Sequence, residues 1–178
     1  MDLLKLLDSA GGEAGIRKLA GQLGMSSAGD AQKLIAALAP ALTGGLQKQA
    51  ASAEGLAGLQ RALASGGHER YLKNPDLLEQ PETREDGNRI LGHLFGSKDV
   101  SRNVAASAAE QTGFDTGLIK KALPLIASLA MGAMGRATNE KSSADSASGL
   151  SVLAGLLGGG GGKGSPLGDM IGLARKFF

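Results

Sequence analysis

The feature that most limits what this chain can fold into is a phrase written twice. "RKLAGQLGMSSAGDAQKLIAALAPALTGGLQK" starts at Arg17, and "AASAAEQTGFDTGLIKKALPLIASLAMGAMGR" ends at Arg136. Gln22 stands against Gln111, Gly24 against Gly113 and Met25 against Phe114, each pair 89 residues apart. After a one-residue gap in the turn, Gly44 stands against Gly132 and Lys48 against Arg136, 88 apart. Each copy reads as a helix, a glycine stop and a longer helix, because apolar residues recur at three- and four-residue spacing on either side of a glycine suited to a C′ position. The repeat, about 13–48 and 102–136, predicts an all-α fold: a compact bundle of short helices built from two similar helix-turn-helix-like hairpins.

In this register the two long helices share a stripe of small residues and proline, Ala36, Pro40 and Gly44 in the first copy and Pro124, Ser128 and Gly132 in the second. Four-residue spacing puts each set on one helix face, where a neighbouring backbone can come close. These six residues are the expected helix-packing or interface positions. Beside the stripe run Ile35, Leu38, Leu42 and Leu46, matched by Leu123, Ile126, Ala130 and Met134, which are expected to fill a core. Pro40 and Pro124 each remove an amide donor, so each is expected to kink its helix or to set a later start for it.

Around the repeat, glycine and capping residues punctuate the chain. Leu3 to Leu7 form a short first helix stopped by Gly11-Gly12, and a second runs from about Glu13 to Leu23. Ser26, Ser27 or Asp30 can cap the third, and Ser52 with Glu54 opens a fourth that stops at Gly66-Gly67. Residues 68–88, "HERYLKNPDLLEQPETREDGN", concentrate charge and hold Pro75 and Pro81. They read as an irregular connector with one helical turn at Asp76 to Glu79. "RILGHLFG" starts a short helix, Ser101 to Thr112 another, and Asp115 or Thr116 caps a final one over about Leu118 to Arg136. The domain plan is therefore a helical domain over 1–138, then a flexible Ser/Gly-rich linker over 139–166 with a short apolar helix at 150–157. An amphipathic segment, 167–178, closes the chain.

Charge and composition exclude several functions. Nineteen basic against seventeen acidic residues give a formal charge of +2, too small a field to favour nucleic acid or an anionic membrane. With no cysteine there is no disulfide framework, thiolate metal site or thiol nucleophile, and the chain suits a reducing cytoplasm. "MDLLKLLDSAGGEAG" lacks a basic start and a long apolar run, so it does not read as a signal peptide. No run of 18 or more apolar residues occurs, so no transmembrane segment is expected.

The motifs that remain carry little chemistry. "LAGQLGMSSAGDAQKLI" has the outline of a DNA-binding helix-turn-helix, repeated at Ala109 to Phe114, but a recognition helix needs side chains that reach base edges and phosphates. Only Gln32 and Lys33 in one copy, and Lys120 and Lys121 in the other, could serve. His68 and His93 raise a metal or acid-base reading with Glu69, Glu85 or Asp86, yet their spacing matches no ligand signature, and capping or hydrogen bonding is the expected role. "GLLGGGGGKGSP" places Lys163 beside glycines without the phosphate-cradle pattern. We expect no catalytic residue, no cofactor and no metal site. The last segment sets Leu167, Met170, Ile171, Leu173, Phe177 and Phe178 at near-helical spacing, a face able to dock on its own core, another subunit or a membrane surface.

Taken together, "LDSAGGEAGIRKLAGQLGMS", "GGHERYL", "EDGNRILGHLFGS", "AEQTGFD" and "LPLIASLAMGAMGR" resemble the YidB-like bacterial family, over roughly residues 1 to 157. The resemblance implies an all-α fold and bacterial origin, and supplies no catalytic residue, cofactor or partner. Similar domains stand ahead of OmpA-type cell-envelope domains in some bacterial proteins, which implies an envelope-linked scaffolding role. The expected function is non-enzymatic and cytoplasmic, working by protein–protein contact or self-association. DNA binding through the two hairpins is the alternative, and peripheral membrane or envelope contact through the last segment is a weaker one.

Overall fold

A computed structural model of the chain describes residues 3–65 and 67–142. These fold as an all-α bundle: α1 (Leu3–Ser9), α2 (Glu13–Gln22), α3 (Ala28–Ala50), α4 (Ala53–Ser65), α5 (Arg70–Lys73), a 3₁₀ turn (Pro75–Glu79), α6 (Pro81–Phe95), α7 (Lys98–Thr112) and α8 (Thr116–Ser142). Among the described residues there is no strand.

The duplicated phrase becomes α2–turn–α3 and α7–turn–α8. Gly24 and Gly113 both adopt left-handed backbone, at φ +67° and +76°, where a Cβ would be strained. Each following helix is capped by a side chain: Ser27 Oγ accepts from the Asp30 amide at 3.3 Å, and an Asp115 carboxylate oxygen accepts from the Leu118 amide at 3.1 Å. Met25 and Phe114 occupy the same place in the two copies, each partly buried against the core.

The axis of the bundle is α8, with α6 along one side and α1, α4, α5 and α7 packed around it. Its inner residues from Ala122 to Gly135 are all buried. Ile35, Leu38, Leu42 and Leu46 of α3 and Leu123, Ile126, Ala130 and Met134 of α8 all lie in the single core. Fully burying a side chain of this size stabilises the fold by about 1.5–3 kcal/mol.

Several boundaries differ from the sequence reading. Pro40 and Pro124 lie inside their helices, which begin earlier than the prolines instead of at them. The 68–88 connector is largely helical: Pro75 opens the 3₁₀ turn and Pro81 opens α6, where a proline needs no amide partner. In the other direction α8 runs on to Ser142, past the expected end near Arg136, because "ATNEKS" contains neither glycine nor proline and Thr138 Oγ1 donates to the Met134 carbonyl. Finally, Thr116–Asn139 does reach the length and hydropathy of a membrane span, at mean hydropathy 1.3, since its leucines, isoleucines, alanines and methionines hold the average up although Lys120, Lys121, Pro124 and Ser128 break the apolar run. Within the bundle, 78% of that window is buried.

Candidate functional site

The two small-residue stripes meet different fates. In the second copy, Pro124, Ser128 and Gly132 are all buried. α6 lies across the first two. Gly87 faces the backbone of Pro124 so closely that no side chain fits between them. Ser128 Oγ donates to the Thr83 carbonyl at 3.2 Å, while Thr83 Oγ1 donates to the carbonyl of Leu77. Further along, Gly132 faces the carbonyl of His68, which a methyl group there would meet at 2.6 Å.

The first-copy stripe is open. Ala36, Pro40 and Gly44 are exposed, and a methyl group on Gly44 would meet no atom of a neighbour within 4 Å. They floor a groove of about 600 Å³ whose far wall is Leu3 and Leu4 of α1. The close approach expected at Gly44 occurs one residue later, at Gly45, where an added Cβ would lie 3.2 Å from Leu94. The helix turns about 100° per residue, so Gly45 falls on the inner face with Leu38 and Leu42 while Gly44 falls outside it.

The connector holds a dense polar cluster, on α5 and the first half of α6. Buried Tyr71 donates its hydroxyl to Asp86 Oδ2, which Arg70 also holds at 3.0 Å, and Arg89 reaches Oδ1 at 3.4 Å. The Arg70 guanidinium lies 4.9 Å from the Tyr71 ring centroid. Burial, reinforced by the hydrogen bond to Asp86, pushes the Tyr71 phenol above its usual range. His68 sits 6.0 Å from the Tyr71 ring, and burial lowers its imidazole against the opposing pull of Asp86. Its Nδ1 is buried without a hydrogen-bond partner.

The carboxylates named with His68 in the sequence are engaged elsewhere: Glu69 with Lys73 and Asn139, Glu85 with Arg89. Among the described residues no three His, Asp or Glu side chains converge to hold a metal ion. His93 is exposed, and its carbonyl accepts from Gln49 Nε2 at 2.5 Å. Sequence reasoning missed Tyr71 and Thr83, although a lone tyrosine beside "HER" and a threonine four residues before Gly87 were the available signals.

The cations of the helix-turn-helix reading are unevenly disposed. Lys33 pairs with Asp30 at 3.9 Å, whereas Lys120 lines a separate groove with Lys98 and Arg102, and Lys121 is exposed. The apolar stretch at 150–157 and the segment with Leu167, Met170, Ile171, Leu173, Phe177 and Phe178 lie outside the described residues.

A family model described as bacterial protein of unknown function (DUF937) matches residues 5–137. The chain belongs to that family. YidB is a member as well. The DUF937 match takes in both hairpins, the Tyr71–Asp86 cluster and both stripes, and it stops within α8. No curated protein and no solved structure matches the chain.

Proposed function

We propose that the chain is a non-enzymatic bacterial protein that works by protein–protein contact, including self-association, through the groove between α1 and α3. One observation carries the reading: Ala36, Pro40 and Gly44 are exposed, while their duplicates Pro124, Ser128 and Gly132 are buried beneath other helices. The covered copy displays what such a stripe accommodates, a helix whose own small residues let two backbones touch. An apolar floor of small residues walled by leucines suits helix-in-groove recognition. The same reading places the protein in the cytoplasm, with a cysteine-free composition in support.

Multi-angle light scattering over a wide concentration range tests it. The natural chain should gain mass with concentration, and Ala36→Arg, which fills the groove floor with a good helix former, should hold it at monomer mass. A natural chain that stays monomeric throughout, and that retains no bacterial protein that Ala36→Arg loses, would remove the reading.

A further inference from the structure

The two halves of the bundle follow the same order, α1–α2–α3 and α6–α7–α8, and the covered half shows what the open half lacks. Set against each other at the left-handed glycines that follow, Gly11 and Gly96, Leu3 at the start of α1 stands for Asn88 of α6 and Leu6 for Leu91. α6 is 15 residues long and α1 is 7. The portion of α6 without a counterpart among the described residues is the one that carries Thr83 and Gly87, the two residues that close Pro124 and Ser128. The groove over Ala36, Pro40 and Gly44 thus has the place, and about the length, of two missing helical turns.

The C-terminal segment repeats the spacing of three residues in those turns. Pro81, Thr83 and Gly87 have the spacing proline, small residue two on, glycine six on; Pro166, Gly168 and Gly172 have the same spacing. Where α6 has Glu82, Glu85 and Asp86, the later segment has Leu167, Met170 and Ile171, which suit a groove walled by Leu3 and Leu4, and it keeps one charge, Asp169, at the place of Arg84.

The path is short enough. Arg136 Nη1 donates to the Ala10 carbonyl at 3.1 Å, so α8 passes the end of α1 one to two turns before its own end at Ser142. α1 itself is about 10 Å long. A glycine- and serine-rich stretch the length of 143–165 spans about 25 Å root-mean-square.

We propose that the groove between α1 and α3 is the seat of the chain's own residues 166–178, with Gly168 set against Pro40 and Gly172 against Ala36 as Thr83 is set against Ser128 and Gly87 against Pro124. The inference rests on the reading of that groove as a docking surface and names its first occupant. Any outside partner then competes with a tethered segment, and contact between copies follows when the segment of one seats on another.

The chain has no cysteine, so Lys176→Cys gives a single spin-labelling position in the full-length protein. Amide signals of Ala36, Ala39 and Thr43 in the isotope-labelled chain should lose at least half their intensity relative to the reduced label, while those of α7 keep theirs. Adding Gly172→Leu should restore the lost intensity. Unchanged groove signals, loss confined to other helices, or loss that survives Gly172→Leu would each overturn the proposal. A mixture of spin-labelled, isotope-free chain with isotope-labelled, unmodified chain at the same concentration separates the sources. Groove signals that broaden in the mixture as they do in the doubly labelled chain assign the groove to a second copy and overturn the intramolecular seat, whereas an intramolecular seat leaves them sharp in the mixture. If the groove signals stay unchanged while Ala36→Arg still abolishes concentration-dependent mass, the tail is excluded and the docking surface stands.

Discussion

Gly87 and Pro124 touch backbone to backbone: a methyl group on the glycine would overlap the carbonyl oxygen of the proline. That contact lets α6 lie flat on α8, and it distinguishes one glycine of α6 from another. Gly92, five residues on, is exposed with no neighbouring atom within 4 Å of an added Cβ. Gly87→Ala should therefore destabilise the protein by about 3 kcal/mol through overpacking that α8 cannot relieve. Gly92→Ala should stabilise it by about 0.5–1 kcal/mol, as a glycine replaced inside a helix. Urea unfolding of both variants, read at constant m, checks the opposite signs.

The matched turns give a second pair. Gly24→Ala and Gly113→Ala each force a Cβ into left-handed backbone, at a cost of about 1 kcal/mol apiece. The two sites lie in separate hairpins, so the double variant should lose the sum to within about 0.5 kcal/mol. Thermal unfolding of the three variants measures it.

At the polar cluster, Tyr71→Phe deletes the hydroxyl's hydrogen bond to Asp86 and the one it accepts from Arg70 at 2.8 Å, but leaves Asp86 with Arg70 and Arg89, for a loss of about 1 kcal/mol. Asp86→Ala instead leaves the buried phenol without its acceptor and should cost more, about 2 kcal/mol. A double-mutant cycle on the two positions should show coupling of the same order as the single Tyr71→Phe loss.

Stability should fall with acid through His68. Its folded imidazole is held below the ordinary value of 6.5 by burial, so as the pH drops through about 6.5 the unfolded chain takes up the proton first. The contribution is full above about pH 7, declines as the pH falls through 6.5, and levels once the folded imidazole is itself protonated. His68→Gln should flatten that part of the curve. Denaturant midpoints between pH 7.5 and 5.5, for both proteins, provide the comparison.

How much of this was legible in the sequence depends on whether a residue's meaning is local. Gly24, Gly113, Ser27 and Asp115 act on their own backbone, and the turns and caps follow directly from them. Pro75 and Pro81 are ambiguous in sequence, because a proline that ends one helix equally well starts another, and the charged run "PETREDGN" is the first half of α6 with Thr83 and Gly87 turned inward. The stripes were visible, but their burial was not. Whether Pro124 is covered depends on Gly87, 37 residues earlier in the chain, and whether Pro40 is covered depends on how far α1 extends. The Tyr71–Asp86 hydrogen bond joins residues 15 apart across two helices, a pairing that neither position announces.

Tyr71 has a further practical meaning. It is the sole tyrosine in a chain without tryptophan, and its hydroxyl is bound to a carboxylate that belongs to the neighbouring helix. The protein thus carries one tyrosine fluorophore, whose emission should be quenched by proton-accepting Asp86 for as long as α5 and α6 stay together. Ultraviolet emission from the unmodified protein becomes an optical gauge of that single joint, readable during folding or binding without any dye.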